Sequence, residues 1–78
     1  MALRIEFTVE PFKDGAPGPH VHAAVEAAQA AGLAVDFGPF GSSVVGEDDQ
    51  VLSAADAIVR AAIGAGATRV SMQIARPG

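Results

Sequence analysis

Residues 3–10 of the chain read LRIEFTVE, an unbroken alternation of apolar and polar side chains. A repeat of two residues is typical of a β-strand that buries one face and exposes the other. Leu3, Ile5, Phe7 and Val9 would point to the core, and the residues between them to the opposite face. Pro11 has no backbone N–H to donate to a neighbouring strand. The sequence therefore predicts an amphipathic first strand that ends at residue 10.

Two helices are predicted outward from this strand. Gly18 and Pro19 are typical of a helix start, and the apolar spacing that follows ends at Gly32. The second helix begins after the acidic run Glu47-Asp48-Asp49, which complements a helix N-terminus, and ends near Gly64 and Gly66. Its apolar stripe is predicted to contain Val51, Leu52, Ala55, Val59, Ala62 and Ile63.

Three further strands complete the pattern. Leu33, Val35 and Phe37 alternate with polar or small residues, and a Gly-Pro turn then leads to a strand over residues 42–45. The last strand alternates Val70, Met72 and Ile74 with Arg69, Ser71 and Gln73. The predicted order is strand, helix, strand, strand, helix, strand.

This order predicts an α+β, ferredoxin-like βαββαβ two-layer sandwich. Right-handed crossovers place both helices on one face of a four-stranded antiparallel sheet, and the other face stays open. One domain is expected to cover residues 1–78. The open face is predicted to be polar and to carry Arg4, Glu6, Thr8, Arg69, Ser71 and Gln73.

Composition limits the function. A chain of 78 residues that is rich in alanine offers little apolar area per residue, so a lone monomer would be marginally stable and self-association is expected. The net charge of −4 with no basic cluster argues against a nucleic-acid partner. No segment resembles a signal peptide or a membrane span, and cysteine is absent, so a cytoplasmic location is expected.

Metal binding and catalysis find little support in the residues. His20 and His22 would diverge by about 200° on a helix, so no metal site is predicted. Glu6 and Glu10 share a strand face but lie about 13 Å apart, too far for paired-carboxylate hydrolysis. Serines and threonines form no nucleophile motif. Phe7 and Phe37 fall on the core phase, whereas Phe12 and Phe40 occupy turns, where a ring can stack on a flat ligand.

Several segments together resemble the thiamine-binding protein family. They are Glu6–Pro11, Gly18–Val21, Gly38–Ser43 and Gly66–Ser71. The resemblance implies a ferredoxin-like fold, binding of thiamine or its hydroxymethylpyrimidine moiety, and assembly into dimers or tetramers. Phe40 matches the hydrophobic position of the family's Pro-hydrophobe-Gly turn, and Ser42 stands where the family usually has threonine. Val45 occupies a position that is commonly acidic, so another acid such as Glu6 would have to face the positive thiazolium.

The resulting hypothesis is a non-catalytic domain without a cofactor, with a ligand pocket at an oligomer interface. Scattered basic residues favour the unphosphorylated vitamin or its pyrimidine half. The predicted ligand-binding residues are Glu6, Thr8, Phe12, His20, Phe40, Ser42, Ser43 and Gln73. One alternative is a structural self-assembly or protein-interaction domain without a ligand. Another, by fold analogy, is a cofactor-free enzyme that uses His20 or Glu6 as a base.

Overall fold

The computed structural model describes residues 1–11, 18–38 and 41–77, and these form six elements in the predicted order. The strands are β1 (Ala2–Glu10), β2 (Asp36–Gly38), β3 (Gly41–Glu47) and β4 (Arg69–Ala75), and the helices are α1 (Pro19–Ala30) and α2 (Asp48–Gly64). The two largest differences from prediction are that β2 starts later, at Asp36, and that β3 is longer at both ends.

The four strands form one sheet in the order β2-β3-β1-β4, and every neighbouring pair is antiparallel. β1 is therefore interior, with Ile5 opposite Val44 of β3 and Ile74 of β4. Both helices pack on the face that carries Ile5. The predicted ferredoxin-like α+β sandwich is confirmed.

The core lies between β1 and the two helices. All four apolar residues of the β1 alternation are buried, and Ile5 is fully so. Ala24 and Ala28 of α1 are also inaccessible to solvent, and their small side chains let the helix approach the sheet closely. No helix within the described ranges has the length and hydropathy needed to span a bilayer.

The predicted apolar stripe of α2 was partly wrong. Its buried residues are Val51, Ala54, Ile58 and Ala62. Val51 and Ala62 belong to the predicted stripe, whereas Leu52, Val59 and Ile63 of the same stripe are exposed. Apolar residues occupy more than one side of this helix, so periodicity alone did not select the side that packs on the sheet.

Phe37 was also predicted to lie in the core, and this was wrong. Its side chain is 48% exposed, although its partner in β3, Ser42, is buried. β2 has three residues and forms one edge of the sheet, so it receives less cover from the helices than β1 does.

The two flanks of α2 are tied to different neighbours. Asp48 in its first turn accepts two hydrogen bonds of 2.9 Å from the Arg76 guanidinium, just beyond β4. This hydrogen bonding lowers the pKa of the Asp48 carboxyl, so the pair stabilises the fold at neutral pH and loses that effect as the carboxyl protonates in acid. On the other flank, Gln50 Nε2 donates to the Ala31 carbonyl oxygen at the end of α1.

Gly46 is a close-packing point between β3 and the helices. A Cβ atom there would lie 2.6 Å from Leu33 Cδ2 and 3.3 Å from Val51 Cγ2, and both of those residues are buried. We expect Gly46→Ala to lower the free energy of unfolding by about 1–3 kcal/mol, because the packed neighbours would have to move. Chemical denaturation measures this change.

Gly64→Ala is the matched control, because a Cβ at Gly64 in α2 would meet no atom within 4 Å. Alanine is the better helix former, so this variant should be neutral or up to about 1 kcal/mol more stable. Equal destabilisation by both variants would contradict the packing assigned to Gly46.

Candidate functional site

A row of four polar side chains crosses the open face of the sheet, one from each strand. Register pairs Asp36 of β2 with Ser43 of β3, Ser43 with Glu6 of β1, and Glu6 with Gln73 of β4. Directly opposed residues have Cβ atoms about 5 Å apart. We call Asp36, Ser43, Glu6 and Gln73 the polar row.

The polar row lies in an open trough of about 1120 Å³. Thr8 and Ser71 form a second opposed pair on one side of the row, and Arg4 lies opposite Val45 on the other side. The strand residues that line the trough on the open face are Arg4, Glu6, Thr8, Asp36, Gly41, Ser43, Val45, Ser71 and Gln73. Ala34, just before β2, also lines it.

Gly41 keeps the trough floor close-packed where β3 meets β1. A Cβ atom there would stand 3.0 Å from both the Phe7 carbonyl oxygen and Thr8 Cγ2. A larger residue would push β3 away from the backbone of β1. The glycine therefore preserves the strand spacing on which the position of Thr8 depends.

Charge in the trough comes from the carboxylates of Glu6 and Asp36 and the guanidinium of Arg4. Arg69 lies opposite Glu10 rather than Glu6, with Nη1 of Arg69 and Oε2 of Glu10 3.8 Å apart. Among the residues that the structure describes, Glu6 has no ion-pair partner within 4.0 Å. Its carboxylate is therefore available to a ligand.

Of the predicted ligand-binding residues, Glu6, Thr8, Ser43 and Gln73 are brought together in the trough. Ser42 borders the trough but is only 6% exposed. It lies opposite Phe7 and Phe37, among the β3 residues on the helix side of the sheet. Phe12 and Phe40 lie outside the described residues.

His20 does not line the trough. Its imidazole is 8% exposed, and Nε2 lies 2.5 Å from the carbonyl oxygen of Pro11, a contact that joins the start of α1 to the end of β1. His22, in contrast, is exposed. Within residues 1–11, 18–38 and 41–77, no three His, Asp or Glu side chains are grouped to hold a metal ion.

Sequence reasoning left Asp36 out of the binding set. The signal was present, because Asp36 alternates with Val35 and Phe37 in the predicted second strand. What the sequence did not show is the register that brings this carboxylate into line with Glu6. Arg4 and Ser71 were expected on the open face but not as ligand-binding residues, and both line the trough.

The environment of His20 predicts a structural role that His22 does not share. A Cβ at Gly18 would lie 2.6 Å from His20 Cε1, so the ring fills the space beside the helix start. We expect His20→Ala to lower the free energy of unfolding by about 1–3 kcal/mol, because a buried hydrogen bond and its packing are lost. His22→Ala should leave stability unchanged in the same denaturation experiment. Equal stability of the two variants would contradict this assignment.

Comparison with known proteins gives both a family and a fold. The family model described as thiamine-binding protein matches residues 5–75. A domain of unknown function, DUF77, from Bacillus cereus is 25% identical, with a TM-score of 0.69 over 96% of this chain and 73% of its own. No curated protein matches the chain.

Two other solved structures share the fold at lower identity. A candidate thiamine biosynthesis or salvage protein from Thermotoga maritima is 20% identical, with a TM-score of 0.68, and the match covers 96% of this chain and 81% of that one. Protein SP2199 from Streptococcus pneumoniae is 19% identical, with a TM-score of 0.74, and the match covers 100% of this chain and 88% of that one.

Proposed function

The chain belongs to the thiamine-binding protein family, and on this premise we propose that its trough binds thiamine or the hydroxymethylpyrimidine moiety without catalysing a reaction. The observation that carries the proposal is the polar row, which sets two carboxylates, a hydroxyl and an amide in line on an uncovered sheet face. Each of these groups has a counterpart in the chemistry of the vitamin.

The pyrimidine half of thiamine offers an exocyclic amino group beside a ring nitrogen. A carboxylate accepts from the amino group, and an amide N–H donates to the ring nitrogen. Glu6 and Gln73 are directly opposed across β1 and β4, so one flat ring can reach both side chains. Ser43, opposite Glu6 on the other side, supplies a hydroxyl for the hydroxymethyl group or for its equivalent in thiamine.

The thiazolium half carries a positive charge and needs an anionic neighbour. Asp36 and Glu6 are separated by two strand spacings, or about 10 Å between backbones. A ligand of two linked rings can therefore meet one carboxylate with each ring. Val45 stands at a position that the family commonly fills with an acid, and Asp36 supplies negative charge to the same trough.

The charge of the trough favours the unphosphorylated ligand. Arg4 is the one basic residue among those that line it, against the acids Glu6 and Asp36. A diphosphate would require several cationic groups or a metal ion with its own ligands. We therefore expect thiamine and hydroxymethylpyrimidine to bind more tightly than thiamine diphosphate.

The open shape of the trough favours ligand binding over catalysis. A base that abstracts a proton works best in a site that excludes water, whereas the trough is a wide depression on an exposed sheet face. A second copy of the chain packed against the trough would narrow it. The ligand pocket would then lie at an oligomer interface.

Glu6→Gln tests the assignment of the carboxylate. Glutamine keeps the shape but removes the charge that accepts from the amino group, so we expect thiamine affinity to fall about tenfold, as for a lost charge-assisted hydrogen bond of ~1.5 kcal/mol. Isothermal titration with thiamine and hydroxymethylpyrimidine at high protein concentration measures this change.

Glu10→Gln provides the matched control. Glu10 lies on the same face of β1 but outside the trough lining, beside Arg69, so its variant should retain wild-type affinity. Equal loss in both variants would indicate a general charge effect. Heats of dilution alone from the wild-type protein, with both ligands, would remove the ligand proposal and favour a purely structural domain.

A further inference from the structure

Arg4 is the one basic side chain among the residues that line the trough, and it lies at the opposite end from Thr8. Its opposed neighbours are Val45 of β3 and Ala75 of β4, whose side chains have no hydrogen-bonding group. Within the described part of the chain, no carboxylate lies within 4.0 Å of its guanidinium. The five N–H groups of Arg4 are therefore available to a ligand.

Two acidic residues lie close enough along the strands to compete for Arg4. Glu47 follows on β3, and its Oε2 lies 3.0 Å from the amine of Met1. Glu6 is two residues beyond Arg4 on β1, or about 7 Å between Cα atoms, and it belongs to the polar row. Neither acid forms an ion pair with Arg4, so the trough presents a cation at one end and carboxylates in its polar row.

We infer that Arg4 forms a subsite for a single carboxylate, so that the trough prefers an amino-heterocycle whose side arm ends in an acid over one whose arm ends in an alcohol. The inference rests on the proposed function for the position of the ring, and it adds the class of ligand that the trough selects. A guanidinium matches a carboxylate with two parallel N–H···O hydrogen bonds, and an alcohol has only one oxygen to accept them.

The position of the ring directs the arm towards Arg4. In the aminopyrimidine, the amino group and the arm occupy neighbouring ring carbons, so an amino group held by Glu6 places the arm close to the same strand. The arm then passes between Arg4 and Ser43, which are diagonal neighbours across β1 and β3. Diagonal side chains in a sheet lie about 7–8 Å apart, which leaves room for a carboxylate between them. Arg4 donates two hydrogen bonds to it, and the Ser43 hydroxyl donates a third.

The charge of the trough limits the arm to one negative unit. Glu6 and Asp36 are the acids of the trough and Arg4 is its base. Arg4 can balance a carboxylate but not a phosphate monoester, which carries close to two negative charges at neutral pH. Asp36 lies opposite Ser43 and would repel the second charge. We therefore expect a carboxylate arm to bind more tightly than a phosphate arm.

Three pyrimidines that differ only in the arm test this preference. They are hydroxymethylpyrimidine, the same ring with a carboxylate in place of the hydroxymethyl group, and the phosphate monoester of hydroxymethylpyrimidine. In isothermal titration we expect the carboxylate to bind about fivefold more tightly than the alcohol, because an exposed bidentate ion pair contributes modestly. Equal affinity of the carboxylate and the alcohol would overturn the subsite. Tighter binding of the phosphate than of the carboxylate would overturn the limit to one charge.

Arg4→Gln tests the guanidinium itself. The side chain is exposed, so the variant should stay folded by circular dichroism while it loses the positive charge. We expect the preference for the carboxylate over the alcohol to vanish, whereas Arg4→Lys keeps the charge without the planar fork and should retain part of it. Thiamine affinity should instead rise about twofold in Arg4→Gln, because a like charge about 10 Å from the thiazolium is removed. A merely structural role would not move the two affinities in opposite directions.

Arg69→Gln is the matched control. Arg69 lies on the same face of the sheet, beside Glu10 and outside the trough lining. The variant changes the net charge by the same amount as Arg4→Gln, and it should leave both the carboxylate preference and the thiamine affinity unchanged. Equal effects of the two variants would indicate a response to net charge and overturn the assignment to Arg4.

The outcomes separate this inference from the proposed function. A protein that binds hydroxymethylpyrimidine, and binds it more weakly as Glu6→Gln, but shows no preference for the carboxylate would overturn the Arg4 subsite and leave the proposed function standing. Heats of dilution alone with thiamine and hydroxymethylpyrimidine, together with carboxylate binding that Arg4→Gln abolishes, would reject the proposed function and support the anion subsite.

Discussion

The two-residue alternation of β1 is the constraint on which the rest of the molecule depends. β1 is an interior strand, so its apolar set is buried under two helices while its polar set is displayed on the open face. Ile5 and Glu6 are adjacent in the chain, yet one is inaccessible in the core and the other lies in the centre of the trough. A slip of one residue would exchange the two faces, burying charge and exposing the core. The register that stabilises the fold is therefore the register that builds the site.

Alanine in the helices has a second consequence. Ala24, Ala28, Ala54 and Ala62 are all fully buried, so the helices lie close to the sheet and the core between them is thin. A thin core removes little apolar surface from water per residue, and larger residues on the flank of α2 are left outside it. Leu52 and Ile63 lie on this flank and are each 52% exposed. A partner that covered this flank would add apolar burial that the thin core of the subunit does not provide.

Local patterns in the sequence were enough to predict the fold, and not enough to predict everything about the site. Alternation in β1 and β4, together with glycine and proline at the helix ends, defined the six elements and the open face, because each signal is local. The buried side of α2 was only partly predicted because apolar residues occupy several sides of that helix, and tertiary packing chose Ala54 and Ile58. Asp36 was missed because its alignment with Glu6 depends on register through β3, which no local pattern encodes. His20 was grouped with ligand residues by its position near a loop, but its imidazole contacts Pro11 at the base of α1.

A sheet face on its own is a poor enclosure for a small molecule, because side chains of adjacent strands stand nearly parallel and surround a ligand on one side only. Small-molecule sites usually bury most of their ligand, and the six elements that the structure describes leave the open face of the sheet without a covering wall. A second subunit can provide it. If both copies contact the ligand, ligand binding and subunit association are linked, since any group that binds the dimer more tightly than the monomer must stabilise the dimer by the same free energy. Assembly that is marginal in the free protein would then respond to the ligand concentration, a property that a self-contained pocket does not have.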